Sequence, residues 1–151
     1  MLECSFRLNG EDLGMLRIDG YTFAAFSGFR QHVNQAASQC LPDAGPIPRG
    51  KYYVVDRATG ILQKINAWLQ SKNDWFALFA MDGKIDDFMT CDGIRRGNFR
   101  LHPMGEEGVS LGCVTLINRS DFDLVSSKLR DQKPLPVGDG GHLAYAILTV
   151  S

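Results

Sequence analysis

Turn signals divide this chain into short pieces, and that spacing constrains the fold more than any other feature. Asn9-Gly10, Asp19-Gly20, Pro46 to Gly50, Asp82-Gly83, Asp92-Gly93 and Gly138 to Gly141 mark the breaks. Asn-Gly and Asp-Gly pairs accept positive φ at both centres of a tight hairpin turn, which most residues resist. The pieces between the breaks include CSFRL, YTFAAFS, KYYVVD, WFALFA, NFRLH, CVTLI and LAYAILTV. Their β-branched and aromatic side chains suit a pleated, half-buried surface, so each predicts a strand. CSFRL with MLRI beyond Asn9-Gly10 predicts a hairpin.

Two stretches carry a helical period instead. In TGILQKINAWLQSK, Ile61, Leu62, Ile65, Trp68 and Leu69 recur every three or four residues, with Thr59 as N-cap. In SDFDLVSSKLRD, Ser120 and Asp123 read as a capping-box-like pair, and Phe122, Val125 and Leu129 share a face. Lys128 and Arg130 suit the negative end of that helix dipole. Many short strands with two short helices give a mainly β fold, a sandwich or partly closed barrel.

The 151 residues are 44% hydrophobic and 22% charged, which suits one domain over 1–151 with a single core. A formal charge of -1 gives no general attraction to nucleic acid or an anionic membrane. No apolar run approaches the roughly 18 residues of a membrane span. The opening MLECSFRLNGEDLG lacks the basic-then-apolar pattern of a secretory signal, so a chain made in the cytoplasm is expected, one that either works there or leaves by a route that does not read such a signal. Cys4, Cys40, Cys91 and Cys113 are widely spread, as are His32, His102 and His142, so no zinc site is expected. A disulfide framework is not expected either; with Cys113 kept as a thiol, at most one bridge could form.

The stretch FRLHPMGEEGVSLGCVTL, residues 99–116, holds the candidate chemistry. Cys113 follows a glycine turn and begins a strand-like run. Gly112 would let a substrate carbonyl approach the backbone, and the amides of Gly112 and Cys113 could face the oxygen that becomes negative on attack. A thiol has an ordinary pKa of about 8.5 and needs a base or cation nearby to act as thiolate. His102, ending NFRLH, is the candidate base if the two runs are neighbouring strands. Spacing alone leaves a second reading open, a small core cysteine and a histidine at a strand end.

NFRLHP followed by SLGC resembles the active-site signature of L,D-transpeptidase (YkuD-type) catalytic domains, and more closely that of the Tlde1-type effectors. AFSG at 25–28, GPIPRGKYYV at 45–54 and WFALFAMDGKIDDF at 75–88 extend the resemblance in order along most of the chain. It departs at Thr115, where the L,D-transpeptidases commonly have arginine, and at Leu111, where many relatives have a polar residue.

The resemblance implies an L,D-transpeptidase-like domain in which Cys113 is the nucleophile and His102 the base. Ser110 would orient the imidazole or line the oxyanion site; alternatively its hydroxyl only closes the turn. Ser27, Arg100 and Leu111 are candidate substrate contacts, with a purely structural hydroxyl as the other reading of Ser27. Arg95 and Arg96 read as solvated, with a supply of positive charge in place of the missing arginine as the other reading; Trp68 and Trp75 read as core, and His32 and His142 as surface residues. Gly45, Pro46, Pro48 and Gly50 read as turn residues. The implied substrate is the tetrapeptide stem of peptidoglycan, with L,D-carboxypeptidase, exchange or cross-linking outcomes and no cofactor or metal. The implied setting is type VI secretion through a secretion-apparatus component into a target periplasm, with an immunity protein in the producing cell. A Cys-His amidase cutting another bond and a non-catalytic peptidoglycan-binding module stand as alternatives.

Overall fold

A computed structural model describes residues 1–56, 75–105, 111–139 and 141–151. In chain order the strands are β1 (Leu2–Phe6), β2 (Gly14–Ile18), β3 (Tyr21–Phe26), β4 (Gly50–Asp56), β5 (Phe76–Ala80), β6 (Phe88–Cys91), β7 (Ile94–Gly97), β8 (Arg100–Pro103), β9 (Val114–Leu116), β10 (Leu135–Val137) and β11 (His142–Val150). One α-helix among the described residues, α1 (Arg119–Arg130), lies between β9 and β10. The predicted helix over 59–72, with Thr59 and Trp68, lies outside the described residues.

Eight strands form a barrel in the order β1, β2, β3, β9, β8, β5, β4, β11, and a parallel pairing of β1 with β11 closes it. The mainly β expectation therefore holds, in its barrel form. β10 pairs with the start of β11, from Leu135 opposite Ala144 to Val137 opposite His142. The predicted hairpin is present as β1 and β2, with Cys4 opposite Ile18 and Phe6 opposite Leu16. Its connection runs through residues 7–13, so Asn9-Gly10 is one part of a longer loop.

Two other turn signals behave as their chemistry requires. Asp19 and Gly20 take φ of 50° and 76°, and Asp92 and Gly93 take 47° and 78°. Each pair forms the two-residue link of a hairpin, β2–β3 and β6–β7 respectively. Positive φ at both positions matches the right-handed twist of the flanking strands.

The interior is filled by alternate side chains of the barrel strands, among them Phe6, Leu16, Tyr52, Leu78, Leu101, Val114, Leu116 and Leu148, with Phe99 from just before β8. α1 joins this cluster through Phe122, Val125 and Leu129, each fully buried, as their spacing predicts. Its start differs from the sequence expectation. The helix opens after Asn118 as N-cap, with no side-chain capping bond, and Asn118 Nδ2 instead donates to Asp121 at 3.3 Å. Ser120 and Asp123 thus fall inside the helix, where Asp123 pairs with Arg119 at 3.0 Å. Lys128 and Arg130 reach beyond the helix end to Asp19 and Asp56, at 3.1 and 2.7 Å.

β8 and β9 run parallel, with Leu101 opposite Val114, His102 opposite Thr115 and Pro103 opposite Leu116. Leu101, Val114 and Leu116 point into the core. Strand alternation then turns Arg100, His102 and Thr115 to the outer face, and Cys113, just before β9, is the next position on that side. His102 lies within β8 and Cys113 at the entry to β9, two residues before Thr115, the strand partner of His102.

Candidate active site

His102 is buried, 6% exposed, and its ring stacks on Trp75 with centroids 4.2 Å apart and planes 19° from parallel. The antiparallel register explains the contact. Phe76 lies opposite Leu101 and Ala77 opposite Arg100, which sets Trp75 beside His102. Trp75 also packs on the core cluster, so the expected core role and a contact with the imidazole coexist. His102 Nδ1 lies 2.7 Å from the Pro103 carbonyl oxygen. A carbonyl can only accept, so Nδ1 carries the proton and Nε2 holds the basic lone pair. Thr115 Oγ1 is 3.4 Å from Nε2, close enough for its hydroxyl to donate weakly to that lone pair.

Cys113 stands immediately before β9, half-buried. It lies two positions from Thr115 on the same outer face, so strand spacings put its Cα about 8 Å from that of His102. Side chains of this size can meet across that distance. The thiol donates weakly to the Asn98 carbonyl, Sγ to oxygen 3.8 Å. Asn98 itself has φ of 57°, which turns the chain just before β8.

Gly112 is required on two grounds. Its φ is +102°, and a Cβ there would lie 2.7 Å from Arg96 Nη2 and 3.0 Å from the Phe99 ring. The backbone that enters Cys113 thus rests on a guanidinium. Ser110 lies outside the described residues.

Arg96 is a correction to the sequence expectation. It is 4% exposed rather than solvated. Its guanidinium donates to the main-chain carbonyls of Gly45, Pro46 and Gln39, at 3.0 and 3.1 Å for the first two. Burial lowers its pKa, opposed by the negative charge of Asp43, and arginine remains charged at any ordinary pH. Gly45 is fixed by the same loop, because a Cβ there would fall 1.9 Å from the Ser38 carbonyl oxygen.

Two of the expected substrate contacts have other work. Ser27 is fully buried, and its hydroxyl accepts from the Ile47 amide at 2.8 Å. It ties down the loop between β3 and β4 and does not face a cleft. Arg100 makes a two-pronged pair with Asp87, 2.6 and 2.7 Å, and donates to the Phe99 carbonyl at 2.8 Å. Its charge is thereby matched within the chain. Leu111, by contrast, is 49% exposed and lines a groove of about 330 Å³ with Pro42, Asp43, Phe88, Arg95 and Asn98. His32 is half-buried and meets the Ser38 hydroxyl at 2.9 Å. His142 packs edge-on against Phe79, centroids 5.2 Å apart.

Cys40 and Cys91 form a disulfide, Cα atoms 5.3 Å apart. The one bridge allowed by keeping Cys113 as a thiol is present, although no pairing was expected of these two. It links the loop that carries Gly45 and Pro46 to the β6–β7 hairpin that carries Arg96. Cys4 is a buried thiol, and burial, with Glu3 nearby, pushes its pKa up to about 12.

The fold and the site define a class: a closed β-barrel domain with a thiol and a tautomer-fixed imidazole on one outer face. The chain belongs to the Tlde1 domain family, whose model matches residues 21–138, and so is a Tlde1-type effector domain. That span holds His102, Cys113, Trp75 and both halves of the disulfide. No curated protein and no solved structure matches the chain.

Proposed function

We propose that this domain is a cysteine L,D-acyltransferase acting on the tetrapeptide stems of peptidoglycan, delivered by type VI secretion as an antibacterial toxin. The observation that carries the reading is the Nδ1 bond of His102 to the Pro103 carbonyl. It leaves Nε2 as the proton acceptor on the face that Cys113 shares. A buried base of fixed tautomer beside a half-buried thiol is what nucleophilic acyl transfer needs.

In this mechanism Nε2 takes the Cys113 thiol proton as sulfur attacks the carbonyl of the diaminopimelate L-centre. The carbonyl electrons move onto oxygen, near the amides of Gly112 and Cys113, with the Arg96 guanidinium below Gly112. One well-placed amide donor is worth about 3 kcal/mol to such an oxyanion. When the oxyanion collapses, the C–N bond breaks and the imidazolium returns its proton to the departing D-alanine amine. The thioester then passes its acyl group to water, to a free D-amino acid, or to the amine of another stem. The first route is L,D-carboxypeptidase activity, and the others are exchange and cross-linking.

The Cys40–Cys91 bridge supports action in an oxidising compartment such as the periplasm, since cytosolic thiols are kept reduced. A chain made in the cytoplasm, passed through a secretion-apparatus component and released in a target periplasm would meet that condition. A periplasmic immunity protein covering the Cys113 face would protect the producing cell.

The test is mass spectrometry of diaminopimelate-type tetrapeptide muropeptides incubated with the wild type and with Cys113→Ala, with D-methionine added in one arm. Loss of D-alanine, or its replacement by D-methionine, in the wild type alone supports the proposal. Unchanged muropeptides in the presence of folded wild type refute it.

A further inference from the structure

The groove beside Cys113 carries charges of both signs. Leu111 and Asn98 are part of its lining, and the Asn98 carbonyl oxygen is the atom 3.8 Å from the Cys113 sulfur. The loop after Cys40 contributes Asp43 to the lining, and the β6–β7 hairpin contributes Arg95. Neither Asp43 nor Arg95 has an ion pair within the described residues; Arg96, which also lines the groove, lies in the field of Asp43 but directs its donors to the carbonyls of Gln39, Gly45 and Pro46. Arg95 is nevertheless held in place, with its guanidinium 3.7 Å from the centre of the Phe88 ring. Pro42, Phe88 and Leu111 add apolar surface. The disulfide joins that loop to the hairpin, so the charges sit on covalently linked elements.

One exposed carboxylate and one ring-supported guanidinium facing a groove next to a thiol match a ligand bearing both opposite charges on a short aliphatic stem. We infer that this groove binds a zwitterionic α-amino-acid head, Arg95 taking its carboxylate and Asp43 its ammonium group. Arginine presents paired donors that fit a carboxylate, and a planar guanidinium on an aromatic ring loses little freedom on binding. The inference rests on the peptidoglycan reading, in which two sources offer such a head. One is the free end of the diaminopimelate side chain in the donor stem. The other is a free D-amino acid that accepts the acyl group.

Binding separates these possibilities from catalysis. Cys113→Ala protein, and the same protein carrying Arg95→Gln or Asp43→Asn, is titrated by calorimetry. The three ligands are the diaminopimelate tetrapeptide, the same peptide with the side-chain carboxyl amidated, and D-methionine. Charge-assisted hydrogen bonds of about 1.5–3 kcal/mol correspond to a loss of roughly tenfold or more for each substitution. If the donor stem supplies the head, Arg95→Gln weakens the acid form at least tenfold and leaves the amidated form unchanged. Asp43→Asn then weakens both. If the acceptor supplies it, both substitutions weaken D-methionine and neither affects the peptides. Equal losses for acid and amidated peptide under Arg95→Gln, or no loss for any ligand, overturn the inference. Wild type that binds in the charge-dependent way yet turns over no stem leaves this inference standing and removes the reading of the activity instead.

Discussion

Replacing both Cys40 and Cys91 by serine tests how much of the fold depends on their link. The bridge closes a sequence separation of 51 residues, and chain-entropy reasoning gives about 4 kcal/mol for a loop of that length. For a domain of this size each kcal/mol moves the melting temperature by about 2–4 °C, so a fall of roughly 8–16 °C is expected. The barrel itself should survive, because its strands lie outside the bridged loop contact. Arg96 also still holds that loop through the carbonyls of Gln39, Gly45 and Pro46. The assay is calorimetric or fluorescence-detected melting of oxidised wild type, reduced wild type and the double serine variant. Alkylation and intact mass give the thiol count of each sample. Reduced wild type and the variant should melt together, well below the oxidised protein. A shift under about 2 °C in an oxidised sample of confirmed bridge content would refute the claim that the bridge constrains the unfolded chain.

Three further outcomes follow from the site and the core. Removing the base with His102→Gln lowers turnover by about 10²–10⁴ and slows iodoacetamide labelling of Cys113, read by peptide mapping, while Cys4 stays unlabelled in both proteins. Gly112→Ala forces a side chain into a left-handed backbone and against Arg96 Nη2 at 2.7 Å. It costs about 1–3 kcal/mol of stability, measurable by urea unfolding, and loses activity even where it folds. Cys4 gives a pH signature: its thiol sits at about 12 against an ordinary value of 9.0, so the folded chain keeps a proton that the unfolded chain releases. That contribution is complete below about pH 9 and drains away between about pH 9 and 12, with buried Tyr52 acting in the same direction. Urea midpoints at about pH 8 and 10 should therefore differ less in Cys4→Ala than in wild type.

The strands were legible where local chemistry and tertiary demand agree. YTFAAFS, KYYVVD and LAYAILTV become β3, β4 and β11 because their alternate residues fill the main core, while Val55 and Ala144 join a smaller second cluster. FMTC and IRRG were not legible as strands, since a short hairpin outside the barrel needs little apolar patterning. Only its Asp92-Gly93 turn announced it. Two adjacent arginines look alike in sequence, and burial separates them: Arg96 turns inward to three carbonyls while Arg95 stays out over Phe88. Trp75 could not be placed beside His102 without the β5–β8 register, a pairing set by strand order. Thr115 could have been found, because alternation along CVTL puts it on the side of Cys113. The Cys40–Cys91 link depends on a loop meeting the β6–β7 hairpin in space, which no spacing rule predicts.

The central claim is that Cys113 carries the acyl group during turnover. The most direct test is an acid-quenched incubation with diaminopimelate tetrapeptide, followed by intact mass and peptide mapping of the protein. The account predicts a thioester adduct on Cys113 equal to the stem less its D-alanine, absent from Cys113→Ala and never found on Cys4. Release of D-alanine by Cys113→Ala, or wild-type turnover with the acyl group on any other residue, would contradict it.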